Sequence, residues 1–150
     1  MQPRKPSAYH VWDGSKWVLD KPQLLADSKK QKIEELNKNF QRELAKGFTT
    51  SQGITLASTP TDYQFLAVGK ERAKTKLEKG ETNPKIARMK DKAGAVHKGI
   101  AASDYIAMIE ELEEHLESLW CKKADLEEAA MNATTEAELE AVKWEWKRSS

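Results

Sequence analysis

The feature that most constrains the fold of this chain is a heptad pattern in its last third. Eight residues follow one another at alternating steps of four and three: Tyr105, Ile109, Leu112, Leu116, Leu119, Lys123, Leu126 and Ala130. Seven of them are apolar, and a polar residue such as Lys123 at a seam can fix register or oligomeric state. The spacing predicts a long helix, with Ser103 as its N-cap, whose seam packs on other helices of the chain or on a second copy.

Apolar residues also recur at helical spacing in two earlier segments. Residues 22–45 predict a helix that is charged on most of its circumference and carries Phe40 on a narrow apolar stripe. Residues 59–80 begin with a Thr-Pro start signal and end at a glycine, so they predict a second helix. Thr135 and Glu138 match a capping box and predict a short last helix that continues to position 147.

Short aromatic and aliphatic runs around turn residues predict two small β-hairpins. In residues 9–20 an Asp-Gly turn separates two such runs, and Trp12 and Trp17 bracket that turn as an aromatic pair. An isolated two-stranded hairpin is marginal in water, so we expect it to pack on another part of the protein. Residues 86–100 predict the second hairpin, and residues 47–59 have the composition of a short strand or a further hairpin.

Together these patterns predict an α+β fold that is predominantly α. It comprises two small β-hairpins, three long helices, one of them with the heptad seam, and a short C-terminal helix. The chain is predicted to have three segments. Residues 1–48 contain the Trp hairpin and a charged helix, and residues 49–80 contain a short strand region and a helix. Residues 81–150 contain the second hairpin, the heptad helix and the last helix.

The charge balance and hydropathy of the chain disfavour two classes of partner. Lysine and arginine number 25 against 24 aspartate and glutamate, which gives a net charge of +1. Long-range electrostatics therefore favour neither nucleic acid nor an anionic membrane. The longest apolar runs span a few residues, far short of the roughly 20 that a membrane-spanning helix needs. We expect no nucleic-acid partner and no membrane segment. Since no secretory signal is visible, we also expect the protein to be located initially in the cytoplasm.

The residue types that usually perform chemistry are scattered along this sequence. His10, His97 and His115 fall in different predicted elements without Cys or His partners at ligand spacing, so we expect no metal site. Cys121 has no base close in sequence and is expected to be a small, partly buried structural residue. Residues 68–70, Val-Gly-Lys, lack the upstream glycine of a phosphate loop. We therefore predict no catalytic residues and no cofactor.

Two stretches of the sequence resemble known phage proteins. VWDGSKWVLD, residues 11–20, followed by a charged helix, resembles the tryptophan hairpin and helix of tail-fibre assembly proteins of tailed bacteriophages. From Ile86 to Trp146 the chain is similar to an uncharacterised domain common in phage tail proteins. The shared features there are a hairpin with a Gly turn and a following histidine, here Gly94 and His97, then a long helix and an Ala-Thr-Thr ending.

The resemblance implies a non-enzymatic phage tail protein that acts through protein–protein contacts. The leading expectation is a tail-fibre assembly chaperone, and the alternative is a permanent component or adaptor of the tail fibre or baseplate. Its partner would be a tail-fibre or other tail protein. The chain would be located in the host bacterial cytoplasm during assembly or in the virion tail. Trp12, Trp17 and Phe40 are the predicted partner-binding residues, and the heptad seam leaves a homo-oligomer open.

Overall fold

The computed structural model describes residues 3–82, 84–86 and 88–145. In chain order the elements are β1 His10–Trp12, β2 Trp17–Leu19, α1 Lys21–Ala45, β3 Phe48–Thr49, β4 Thr55–Leu56, α2 Pro60–Glu78, β5 Met89–Lys90, β6 Val96–His97, α3 Ala102–Asn132 and α4 Glu136–Glu140. Consecutive strands pair as antiparallel two-stranded sheets: β1 with β2, β3 with β4, and β5 with β6. The predicted fold class, predominantly α with small hairpins, is confirmed.

The chain divides into two compact units that are not consecutive in sequence. The first comprises Met1–Asn39 and Lys123–Ser150, and the second comprises Phe40–Lys122. Helices α1 and α3 each contribute residues to both units. This division differs from the three consecutive segments expected from the sequence, because the N-terminal and C-terminal parts of the chain share one unit.

The first unit has a small core built from α1, α3, α4 and the residues after α4. Its buried members are Leu36, Ala130, Ala133, Leu139 and Val142, with Leu25, Leu126 and Trp144 packed against them. Lys29 of α1 donates a hydrogen bond from Nζ to the Met131 carbonyl, 2.6 Å away, near the C-terminal end of α3. A lysine at this position also suits the negative end of the helix dipole.

Asp20 joins the first hairpin to helix α1. Its backbone N–H donates to the Tyr9 carbonyl across the open end of the hairpin, at 2.6 Å. Its carboxylate accepts a hydrogen bond from the Gln23 N–H at 3.1 Å, and its carbonyl accepts one from the Leu24 N–H at 3.0 Å. Asp20 is therefore the N-cap of α1, and the helix begins one residue before the predicted start.

The second unit has a larger core in which α2 and α3 pack with residues of β4 and β5. Its buried residues are Leu56, Ala73, Met89, Ala102, Tyr105, Met108, Ile109 and Leu112. Partly buried residues of the 48–54 loop, α2 and the 86–100 segment surround them. Residues 47–59 form a hairpin, β3 with β4, which resolves the alternative that the sequence left open.

Ser103 is not the N-cap of α3, so that prediction is wrong. The helix begins at Ala102, and the first intrahelical bond runs from the Tyr105 N–H to the Ala101 carbonyl at 3.0 Å. Backbone pairing sets this start, because the Ala102 N–H donates to the Pro84 carbonyl at 2.8 Å and Lys85 forms a β-bridge with Ala101. Long-range pairing of this kind leaves no local sequence signal.

The predicted capping box before α4 is present, but one of its two hydrogen bonds is made to the preceding residue. The Thr135 hydroxyl accepts a hydrogen bond from the Glu138 N–H at 3.1 Å, as expected. The Glu138 carboxylate, however, accepts from the N–H and hydroxyl of Thr134, at 2.7 and 3.0 Å, one residue earlier than in the usual motif. Helix α4 ends at Glu140, short of position 147, and residues 146–150, including Trp146, lie outside the described residues.

Candidate functional site

The two tryptophans of the first hairpin lie directly opposite each other. Trp12 pairs with Trp17 in the strand register, and their rings meet edge to face with centroids 5.3 Å apart at 69°. The Trp17 indole N–H donates to the Pro3 carbonyl at 2.8 Å, and the Lys5 ammonium lies 5.9 Å from the ring centroid. Both tryptophans are half-buried. The predicted aromatic pair is confirmed, and a good part of its surface is used to hold the hairpin together.

The opposite face of this hairpin carries two exposed valines, which the sequence analysis did not single out. Val11 and Val18 are cross-strand partners and expose 55% and 43% of their surface. Since side chains alternate along a strand, they lie on the face away from the tryptophans. We call this pair the valine face. The alternation of Val and Trp in the sequence is the signal that could have identified it.

Hydrogen bonds to carboxylates fix the hairpin's turn and its position on α1. The Asp13 carboxylate accepts from the N–H groups of Ser15 and Lys16 at 2.9 and 2.8 Å, and these bonds lower its pKa. At the base of the hairpin, a hydrogen bond to Asp27 of α1 raises the pKa of the Tyr9 hydroxyl. The hydrogen bonds of Asp20 to Tyr9, Gln23 and Leu24 attach the hairpin to α1, as its marginal intrinsic stability requires.

Phe40, the third predicted partner-binding residue, lies in the second unit, whereas Trp12 and Trp17 lie in the first. It is half-buried on α1 and makes a contact of its own within the protein. The three residues predicted as one partner-binding group are thus divided between the two units.

The heptad seam is used for packing inside the chain. Tyr105, Ile109 and Leu112 are buried members of the second unit's core, and Leu116 packs against it. Leu119 is fully buried, and Leu126 packs in the core of the first unit. The polar member, Lys123, is partly exposed and lies 3.4 Å from Glu127, one turn further along α3. Of the two roles considered for the seam, these contacts correspond to helix packing within the chain.

A polar cluster connects α2 and α3 in the second unit. The Tyr63 hydroxyl donates to Glu113 Oε2 at 2.8 Å, and the Lys70 ammonium forms a close ion pair with Glu113 Oε1. Burial opposes ionisation of Glu113, but the two hydrogen bonds outweigh it and lower its pKa. The hydrogen bond to Glu113 in turn raises the pKa of Lys70 and of Tyr63. Each carboxylate oxygen has its own partner, an arrangement typical of a structural ion pair.

The histidines and the cysteine lie apart from one another in the structure. His97 Nε2 lies 3.0 Å from Asp91 Oδ2 in the hairpin of β5 and β6, and this hydrogen bond lowers the Asp91 pKa. His115 stacks on Phe48, with centroids 4.7 Å apart. No cluster of three or more metal-binding side chains occurs among the described residues. Cys121 is exposed, so the expectation of partial burial is wrong: it lies on the side of α3 away from the seam.

A groove of about 970 Å³ lies in the second unit between α2 and residues 86 and 88–92. We call it the α2 groove. Phe65, Val68, Arg72 and Lys76 line it from the helix. The start and stop signals of residues 59–80 predict the helix but do not show which of its sides stays exposed, so this groove was not predicted. The available signal was the pair of large apolar residues Phe65 and Val68, one turn apart.

The valine face and the α2 groove are thus two exposed apolar surfaces, one on each unit.

Comparison of the chain with protein-family models, with curated proteins and with solved structures finds no significant match. None of the helices in the described ranges is long and apolar enough to cross a bilayer.

Proposed function

We propose that this chain is a non-catalytic phage tail protein, a tail-fibre assembly chaperone that acts through protein–protein contacts. The observation that carries the proposal is the valine face. Two directly opposed β-branched side chains are exposed on a small hairpin whose turn is fixed by hydrogen bonds to Asp13 and whose base is fixed by the Asp20–Tyr9 backbone bond. Such a surface is presented to a partner with little loss of conformational entropy on binding.

The hairpin also offers strand edges: within the described part of the chain β1 and β2 pair only with each other, so each has one edge without a strand partner. A folding fibre subunit exposes edge strands and apolar side chains that tend to aggregate before the trimer forms. The hairpin is suited to cover them, since it offers both backbone groups for strand addition and the Val11 and Val18 side chains for apolar contact.

The tail context rests on residues 11–20 and 86–146, which resemble tail-fibre assembly proteins and a phage tail domain respectively. The first of these segments is the one that forms the hairpin with the valine face. The sequence resemblance and the exposed surface therefore coincide in the same ten residues.

Coexpression with a phage tail-fibre protein tests the proposal. We expect the chain to increase the yield of soluble, trimeric fibre several-fold, measured by size-exclusion chromatography with light scattering. The double variant Val11→Thr, Val18→Thr keeps side-chain shape and β-propensity but weakens apolar contact, so it should lose most of this effect. Val96→Thr is the matched control, because Val96 is 46% exposed on the hairpin of β5 and β6.

Three results would contradict the proposal or its contact surface. A fibre that is equally soluble and trimeric without the chain would exclude the chaperone function. Detection of the chain in purified virions at a fixed ratio to the fibre would instead identify a permanent component or adaptor of the tail. If the double variant and the Val96 control both act like the wild type, the valine face is not the contact surface.

A further inference from the structure

The α2 groove is long enough for several turns of a bound helix. Its helical wall extends from Asp62 to Lys76, and its other wall comprises Ile86 and residues 88–92. At roughly 1.5 Å per residue, the helical wall is about 21 Å long. Gly69 and Tyr105 lie at its base, where the lack of a side chain on Gly69 allows the tyrosine ring to approach α2.

Apolar side chains at this groove are exposed to an unusual degree. Phe65 exposes 77% of its surface, the largest fraction among the exposed large hydrophobic residues described, and Val68 exposes 53%. Both lie on α2, one turn apart, beside the half-buried Leu66 and Ile86. Large contiguous apolar patches with a polar rim are characteristic of interaction sites.

The rim of the groove is positively charged. Five cationic side chains line it: Arg72, Lys76, Arg88, Lys90 and Lys92. The lining also contains two carboxylates: Asp62 accepts a hydrogen bond from Thr59, and Asp91 accepts one from His97 as well as two from backbone N–H groups. With five cations against these two carboxylates, the lining carries a formal net charge of +3. The groove therefore concentrates positive charge on a chain whose net charge is only +1.

We propose that the α2 groove binds an acidic segment of a partner protein that carries apolar anchor residues. Complementary charge selects the segment: its carboxylates would meet the five cations while its apolar residues cover Phe65 and Val68. A helical segment of about 14 residues matches the length of the α2 wall. This inference does not depend on the proposed tail function, because it rests on a different surface in a different unit.

Nucleic acid is the less favoured partner for this groove. Single-stranded nucleic acid is bound by several aromatic platforms along a basic track. Here Phe65 is the one strongly exposed aromatic residue of the described lining, and its neighbours Leu66, Val68 and Ile86 are aliphatic. Aliphatic side chains match the apolar face of a peptide better than they match stacked bases.

A display library of random peptides about 14 residues long, selected against the full chain, tests this assignment. We expect the enriched peptides to be acidic and to carry Leu, Ile or Phe at helical spacing. The best peptide, labelled with a fluorophore, is then titrated by anisotropy at low and high NaCl. Binding should weaken markedly at high salt, since the rim charges are solvent-exposed.

Charge reversal locates the binding site. The variant Arg72→Glu, Lys76→Glu changes two exposed positions of α2 and should weaken peptide binding by about tenfold or more. The matched control Lys30→Glu, Lys38→Glu makes the same charge change at exposed positions of α1 and should leave it nearly unchanged. Circular dichroism confirms that both variants are folded.

The contrary outcomes are distinct. Enriched peptides without an acidic bias, or equal weakening by both charge-reversal variants, would overturn the proposal. Displacement of the peptide by a single-stranded DNA oligomer at lower concentration than by unlabelled peptide would assign the groove to nucleic acid. A wild-type dimer that the Arg72→Glu, Lys76→Glu variant dissociates would assign it to a second copy of the chain. None of these results bears on the fibre coexpression experiment.

Discussion

Replacing Gly69 by alanine is expected to destabilise the protein, although the same change should favour helix α2. Gly69 lies in the interior of α2, where glycine normally costs about 0.5–1 kcal/mol relative to alanine. If helix propensity alone decided the outcome, the substitution would stabilise the fold by about that amount.

Packing against Tyr105 opposes this gain. A Cβ atom on Gly69 would overlap with the Tyr105 hydroxyl oxygen and would lie 3.1 Å from Cζ and 3.2 Å from Cε1. The tyrosine has little room to move, because it is only 5% exposed and its hydroxyl donates to the Leu66 carbonyl at 3.1 Å. Overpacking of this kind costs about 1–3 kcal/mol, and loss of the hydrogen bond costs about 1 kcal/mol more. The net expectation is a loss of about 1–3 kcal/mol in the free energy of unfolding.

A double-mutant cycle with Tyr105→Phe isolates the contact. Removing the hydroxyl abolishes the closest approach and leaves the two contacts above 3 Å, which the ring can relieve by a small shift. Gly69→Ala should therefore cost at least about 1 kcal/mol less in the Tyr105→Phe background than in the wild type.

Urea denaturation followed by far-UV circular dichroism measures all four proteins of the cycle. The slopes with urea should be compared first, because a chain with two compact units need not unfold in a single step. If Gly69→Ala is as stable as the wild type or more stable, α2 and α3 are not packed as closely as described. Additive effects of the two substitutions would likewise refute the Tyr105 contact as the cause.

Three further predictions concern other contacts. Asp20→Ala should cost about 1 kcal/mol in urea denaturation through loss of the α1 N-cap, whereas Asp20→Asn, which keeps an acceptor, should cost less. Glu113 has a folded-state pKa below its ordinary value of 4.5, so its contribution to stability is present above that pH and is lost as the pH falls through the folded-state pKa. The stability difference between the wild type and Glu113→Gln should therefore shrink below pH 4.5; a constant difference would contradict the ion pair. Leu112→Ala, at a fully buried seam position, should lower the free energy of unfolding by about 2–5 kcal/mol, measured by thermal or urea denaturation. Trp120→Ala, at an exposed position of the same helix, should change it by no more than about 0.5 kcal/mol.

Local patterns in the sequence predicted most of the secondary structure correctly. The Thr-Pro start signal placed the beginning of α2, where the Thr59 hydroxyl accepts a hydrogen bond from the Asp62 N–H. The Asp-Gly turn and its flanking tryptophans placed the first hairpin. These signals succeed because N-caps and tight turns are determined by residues within about four positions of one another.

Features that depend on residues far apart in sequence could not be predicted in this way. The start of α3 is set by backbone pairing of Pro84 and Lys85 with Ala101 and Ala102. Gly69 appeared in the sequence only as part of an incomplete phosphate-loop motif, whereas the structure shows it as the position where Tyr105 approaches α2. The grouping of the N-terminal and C-terminal parts in one unit likewise has no periodic signal.

The burial of the heptad seam decides where partner contacts are to be sought. A seam of this kind can support either a coiled-coil oligomer or an internal core, and the same leucines cannot be fully buried in both. Ile109, Leu112 and Leu119 have no accessible surface left for a second chain. Both surfaces proposed for partner binding therefore consist of apolar residues that the two cores leave exposed. The valine face belongs to a hairpin that Asp20 joins to α1, and Phe65 with Val68 is bordered by cationic side chains. Each surface thus has a physical property that a partner can recognise.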